Sequence, residues 1–314
     1  MTINVLPKDQ KSWVETPPLN PPIRNIVSEL VENQSWLDTV ATPLQNWLTK
    51  VFGKQGDPQY VAKDMLNGTW LGHPLHPVLV SVPLGAWTVT ALCDLVALST
   101  EDPGMEGAAD LTLAIGLAGG LGAAVTGITQ WSDLDSTDRR VGMFHGLLNG
   151  GITVLYTASA ILRRTGQRRT AVALSTTGYL ASLFSAYLGG ELVYGKGIGV
   201  NHVAFEGGSD DFVAVMKTQD LAEGKLTRVD AAGIPAVLLR QGKSIYAIAA
   251  TCSHLGGPLD EGTVNDGVVQ CPWHGSCFRM SDGSIVHGPA TYAQPTFAVR
   301  LRDGNIELRR LEHA

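Results

Sequence analysis

The chain has 314 residues, a formal net charge of −6 and 44% hydrophobic residues. That length accommodates two domains, and an acidic balance without a basic stripe excludes nucleic acid as the main partner. Its four cysteines, Cys93, Cys252, Cys271 and Cys277, are too few and too scattered for a secreted disulfide scaffold.

The N-terminus, MTINVLPKDQKSW, lacks the basic start, short apolar core and small-residue cleavage site of an export signal. Pro17, Pro18, Pro21 and Pro22 make the first stretch extended. From Ile26 to Phe52 apolar residues recur at helical spacing, with Leu30, Leu37, Leu44 and Val51 on one line and Val40, Trp47 and Leu48 beside it. Thr42 before Pro43 reads as an N-cap followed by the first helical residue, which divides the stretch into two short amphipathic helices. Two placements fit them equally well: flat on a membrane surface, or packed on the protein's own helices. We take 1–68 as this N-terminal region.

Four apolar segments follow, at 75–98, 109–131, 142–162 and 170–193. Each is long enough to cross the roughly 30 Å of bilayer hydrocarbon as a helix. Asp94 and Glu191 lie near segment ends. Gly116 and Gly120 form a small-xxx-small pair of the kind that lets helix backbones approach closely in lipid. Trp70, Trp87 and Trp131 are candidate interfacial anchors. The expected unit is an all-α four-helix transmembrane domain over 69–200, the alternative being a soluble bundle with a very apolar core.

A Gly-rich linker, 201–210, leads to short alternating runs at 212–216, 236–240, 244–250, 297–301 and 305–310, separated by Gly, Asp and Pro turns. That pattern predicts a small all-β antiparallel domain over 211–314. Within it, TCSHLGGPLDEG (251–262) is followed by VVQCPWHGSCF (268–278). The spacing is Cys-x-His, sixteen residues, then Cys-x-x-His. Zinc also accepts two thiolates and two imidazoles, but zinc fingers usually pair Cys with Cys and His with His locally. Here each loop supplies one of each, so each loop can reach both metals of a binuclear cluster. Cys252, His254, Cys271 and His274 are the expected ligands, with the thiolates on one iron and the imidazoles on the other.

CSHLGG, CPWHGSCF and the later GPATYAQP (288–295) resemble the two cluster loops and the proline loop of the Rieske-type ferredoxin domain. The resemblance covers 211–311 and implies a [2Fe–2S] cofactor and one-electron transfer. The high-potential Rieske proteins of quinol-oxidising complexes carry an extra cysteine in each loop, joined as a disulfide. Gly257 and Trp273 occupy those positions here, so that bridge cannot form. Phe278 replaces a tyrosine whose hydroxyl lies near a cluster sulfur, while Ser276 is retained. Fewer donors to sulfur favour the less negative oxidised state, so the potential is expected in the lower half of the family's range of about −150 to +300 mV.

TWLGHPLHPVLVSVPLGAWTVTALCDLVAL (69–98) and GGELVYGKGIGVN (189–201) resemble the opening and the end of an uncharacterised bacterial four-helix membrane family. That likeness implies membrane location and carries no activity. With four crossings, His73, His76, His145 and His202 fall on the face that carries the β domain. Such a set can ligate a b-type haem, bind another metal or bond a quinone carbonyl; alternatively, HPLHP is a polar turn whose histidines bond backbone or lipid headgroups. For sidedness, RRTGQRR (163–169) argues for cytoplasmic placement of its own face. Lys63, Arg139, Arg140 and Lys196 offset it on the other, and the missing disulfide favours a cytoplasmic cluster.

The expected function is a membrane-anchored, multi-pass electron carrier working with an unidentified redox donor and acceptor, either protein or quinone, in contact with membrane lipid. The alternatives are a redox-sensing or accessory subunit, and an electron donor to a separate oxygenase. A self-contained oxygenase would need a second domain with a mononuclear iron, and only 40 residues follow His274.

Overall fold

A computed structural model describes residues 27–53 and 57–311; the Pro-rich start lies outside them. A π-helical turn at Ser28–Glu32 precedes α1, Leu37–Phe52. Pro43 therefore sits inside α1 rather than at its first position, and the break between the two helical pieces falls at 33–36 instead of at Thr42. An interior proline costs about 3 kcal/mol. Leu37 and Leu48, buried against Trp131, Leu134, Val141 and Met143, offset it at about 1.5–3 kcal/mol each. Asp38 adds ion pairs to Arg139 at 2.8 Å and Arg140 at 2.6 Å. Thus α1 packs on the protein's own helices with one face. Its other face exposes Trp36, Val40, Trp47 and Val51.

A short helix α2, Tyr60–Asn67, ends on Gly68 in the left-handed conformation. Four long helices follow: α3, Leu75–Thr100; α4, Pro103–Trp131; α5, Ser136–Arg164; and α6, Arg168–Gly190. Three of them, α3, α4 and α6 with its π-helical extension to Gly195, are long and apolar enough to cross a membrane. His145, Asn149 and the charges at both ends dilute the apolar character of α5. Asp102 caps α4 by accepting the Gly104 N–H at 2.8 Å, with Pro103 in the first helical position.

The glycines of α4 admit side chains. A Cβ at Gly116 would lie 2.2 Å from the Trp87 indole, and one at Gly127 would lie 2.8 Å from the His76 ring. Gly116 thus makes room for Trp87 rather than for a bare helix backbone. Trp87 stacks on Tyr156 with centroids 4.1 Å apart and is 5% exposed. It belongs to the bundle interior because it falls midway along α3. Trp131 is also buried, its indole N–H donating to the Arg139 carbonyl at 3.0 Å. Only Trp70 of the three expected anchors is exposed. At the far end of the bundle, Asp94 is the centre of a buried network. It pairs with Arg163 and Arg168, which also reach Asp110 at 2.9 Å.

The strands of the C-terminal domain pair antiparallel, with one isolated parallel bridge between Glu223 and Arg240. The strands are β1, Val213–Lys217; β2, Thr227–Asp230; β3, Pro235–Gln241; β4, Ser244–Ala249; β5, Thr263–Asn265; β6, Val268–Gln270; β7, Cys277–Arg279; β8, Ile285–His287; β9, Phe297–Arg302; and β10, Asn305–Arg310. They form three sheets, β1-β10-β9, β2-β3-β4 and β5-β6-β7-β8. One core, with Leu221, Leu238, Phe297, Ile306 and Leu308, lies under the first two sheets. A second, with Leu239, Ile248, Leu259, Val269, Phe278 and Met280, runs up to Cys252 and Cys271.

Candidate metal centre

The two Cys/His loops share one backbone frame. The Cys252 N–H donates to the Gly257 carbonyl and the Cys271 N–H to the Ser276 carbonyl, both at 2.8 Å. Four residues after each cysteine, Gly256 (φ +76) and Gly275 (φ +80) turn left-handed, and each returns its N–H to the cysteine carbonyl. Glycine takes that conformation without steric cost. The loops sit at one end of the domain, between β4 and β5 and between β6 and β7. Both cysteines are buried.

The donors arrive in pairs. The Cys252 and Cys271 thiols are neighbours that shift each other's ionisation. The proximity of Cys252, with the Trp273 and His274 backbone N–H groups, holds the Cys271 thiol below the ordinary thiol range. Its counterpart Cys252 is pushed well above the ordinary thiol range by the same proximity and by burial. The His254 and His274 rings lie edge to face, centroids 5.2 Å apart. Burial lowers both, with His254 brought to about 3 and helped by the charges of His274, His202 and Lys63. Both imidazoles are therefore neutral near pH 7, the form that binds metal.

Among the described residues, no three His, Cys, Asp or Glu side chains converge as on a single ion. The Nδ1 of His254 is buried without a partner. A thiol pair, an imidazole pair and an orphaned ring nitrogen fit a binuclear cluster, with sulfur on one metal and nitrogen on the other.

The surrounding shell matches that assignment. Ser276 is fully buried, and its Oγ accepts the Ala290 N–H at 3.0 Å, which leaves the hydroxyl proton to donate elsewhere. A Cβ at Gly257 would lie 2.8 Å from Cys271 Sγ and 3.1 Å from the Trp273 ring. Gly257 and Trp273 are thus spatial neighbours, and the indole covers the glycine. The proline loop is tied to the first cluster loop by Ser253 Oγ, which donates to the Tyr292 carbonyl at 2.6 Å.

The helical domain supplies contacts that the motif does not announce. Asp64 on α2 accepts the Gly288 N–H and meets His287 Nδ1, both at 2.9 Å. The His202 N–H donates to the Ser253 carbonyl at 3.1 Å. Lys63 pairs with Asp133 at 2.6 Å; burial raises the Asp133 carboxyl and the ammonium opposes the rise. The cluster end of the β domain therefore rests on α2, the α4–α5 connection and the segment after α6. Asp64 and Asn67 stand in YVAKDMLN without a motif around them; only their place just before GHPLHP hints at a role.

The four membrane-domain histidines share that end of the bundle without forming a common site. Exposed His73 turns its Nδ1 to the Pro74 carbonyl, and His76 Nδ1 bonds the Ala123 carbonyl. His145 bonds Ser185 and Asn149, and His202 Nε2 bonds the Gly197 carbonyl. Each is engaged locally.

Two loops of one frame, delivering paired thiols and imidazoles to one end of a small antiparallel domain, define an iron–sulfur electron-transfer domain. The chain belongs to the Rieske [2Fe–2S] family. The family model described as Rieske [2Fe-2S] domain matches residues 211–298, and the model described as Predicted membrane protein (DUF2231) matches 72–202. Apoptosis-inducing factor 3 of Homo sapiens is 30% identical over 101 residues, 32% of this chain. The match spans only 17% of that relative's length. Ferredoxin CarAc of Metapseudomonas resinovorans is 31% identical over 96 residues, 30% of this chain and 90% of that protein. Among solved structures, a complex of reduced oxygenase and oxidized ferredoxin in carbazole 1,9a-dioxygenase has a chain 30% identical, with a TM-score of 0.31, covering 33% of this chain and 100% of its own.

Proposed function

We propose that the protein is a one-electron carrier held at the membrane by its helical domain, with Cys252 and Cys271 on one iron and His254 and His274 on the other. When bound, the cluster supplies reversible one-electron chemistry. The chain's own residues bind and orient it: paired loops fix the four ligands, and backbone N–H groups of His254, Leu255, Trp273 and His274 point at the thiol sulfurs. The single observation that carries this reading is the unpartnered, buried Nδ1 of His254 in the same frame as two buried, free cysteines.

The exchange partner is a separate redox protein or a small carrier reaching the His274 side, where Trp273 is 57% exposed. Relatives named as the ferredoxin component of biphenyl 2,3-dioxygenase and the ferredoxin subunit of anthranilate 1,2-dioxygenase support the first form. We place the cluster face in the cytoplasm, because Gly257 and Trp273 stand where an oxidising compartment would favour a protective disulfide. Basic residues do not decide sidedness here. Arg163, Arg164, Arg168 and Arg169 at one end are matched in number by Lys63, Arg139, Arg140 and Lys196 at the other.

Iron and acid-labile sulfide analysis of detergent-purified protein tests the core of the proposal. Equal iron and sulfide, with loss of both in Cys271→Ser, is expected. A lone zinc, or full iron retention in that variant, overturns it.

A further inference from the structure

Against His254, between the two domains, lies a small cavity of about 30 Å³ lined by Asn67, Gln130, Asp133, Ser253, His254 and Tyr292 among others. Neither cysteine nor His274 lines it, so it is distinct from the space between the four ligands. Pro74, Leu134, Ile198 and Val200 also line it, and among these apolar neighbours stand polar atoms without partners. Asn67 is 1% exposed, yet neither its amide nitrogen nor its amide oxygen has a partner. Asp133 gives Oδ1 to Lys63, while its Oδ2 is buried without one.

A buried amide with no partner forfeits its full desolvation cost. Native interiors meet that cost with ordered water where the space is polar and roomy enough, about 10–15 Å³ per molecule. The cavity has room for at least one. Asn67 offers both a donor and an acceptor, Asp133 Oδ2 an acceptor, and an imidazole bound to metal through one nitrogen presents an N–H at the other.

We propose that this cavity is a built water site in which ordered water links the Asn67 amide and Asp133 Oδ2 to the His254 imidazole. The helical domain thereby touches the cluster's ligand shell and helps set its potential. An outer partner that accepts the imidazole N–H makes the ring a stronger electron donor to its metal. The water bridge therefore favours the oxidised state. Asn67 is a positioning residue, acting through water and the His254 ring. This inference rests on His254 being a cluster ligand.

Full-length protein in nanodiscs, reduced with dithionite and equilibrated in H₂¹⁷O, tests it by hyperfine spectroscopy of the Rieske EPR signal. An ¹⁷O coupling in the wild type that is lost in Asn67→Leu, together with a higher midpoint potential in that variant, is the expected result. Absence of the coupling in the wild type overturns the water site, and needs no variant to fold. An equal coupling in both proteins overturns it too. Coupling lost with an unchanged midpoint overturns the tuning role. A protein without the Rieske signal fails the ligand assignment instead, and so is told apart from failure of the water site.

Discussion

Removal of the Asp64 carboxylate is the sharpest perturbation of the seat on which the cluster end rests. Its Oδ1 accepts the Gly288 N–H and its Oδ2 meets His287 Nδ1, each at 2.9 Å. A hydrogen bond from a backbone N–H to a carboxylate contributes about 1.5–3 kcal/mol. The His287 side chain is 32% exposed, so that contact is discounted as a solvent-screened pair to about 0–1 kcal/mol. Asp64→Ala should therefore cost about 1.5–4 kcal/mol of docking. At 1.4 kcal/mol per decade, that is roughly a 10- to 700-fold rise in the open population. Hydrogen exchange of the Gly288 amide in nanodiscs reads it directly. Asp64→Asn keeps an acceptor for Gly288 without the charge, and should show an intermediate loss of protection. Unchanged Gly288 exchange in Asp64→Ala would refute the reasoning.

Further outcomes follow from other sites. Ser276→Ala strands the buried Ala290 N–H at about 1–3 kcal/mol and removes a hydroxyl donor, so both melting temperature and midpoint potential should fall; an unchanged potential would show that the hydroxyl does not reach sulfur. Arg163→Met leaves Asp94 buried and half-paired, a loss of about 3–5 kcal/mol, whereas Arg163→Met with Asp94→Leu should recover most of it in a denaturation midpoint. Asp38 is held down to about 2 by its hydrogen bonds to Arg140 and Arg139. A depressed carboxyl contributes stability above its unfolded value of about 3.9 and loses it as pH falls toward 2. Docking of α1 should weaken across that window, and an Asp38→Asn protein should show no such step in Trp47 fluorescence.

Much of the architecture is readable in the residues because strong patterns speak locally. Apolar runs of helical length announced α3 to α6, and alternation announced β1, β3, β4, β9 and β10. The strands β5 to β8 went unread because three residues are too few to show a period of two. At Pro43 a local rule lost to tertiary packing: the buried line Leu37, Ala41 and Leu48 carries the helix through. Trp87 illustrates the same limit, since an indole reads alike in sequence whether it faces headgroups or a glycine notch such as Gly116. The ligand spacing was explicit in the chain. Asp64 was not, because its partners His287 and Gly288 lie more than 200 positions away.

The seating of the cluster end on the helices changes what kind of encounter can serve this protein. A free ferredoxin diffuses to each customer and shows it any side. Here one flank is taken by a covalently tethered neighbour at high effective concentration, as the Asp64 and His202 contacts record. On the proposed carrier reading, redox partners come to the bilayer and meet the flank where Trp273 is exposed. Discrimination between them then begins with shape, before any electron moves.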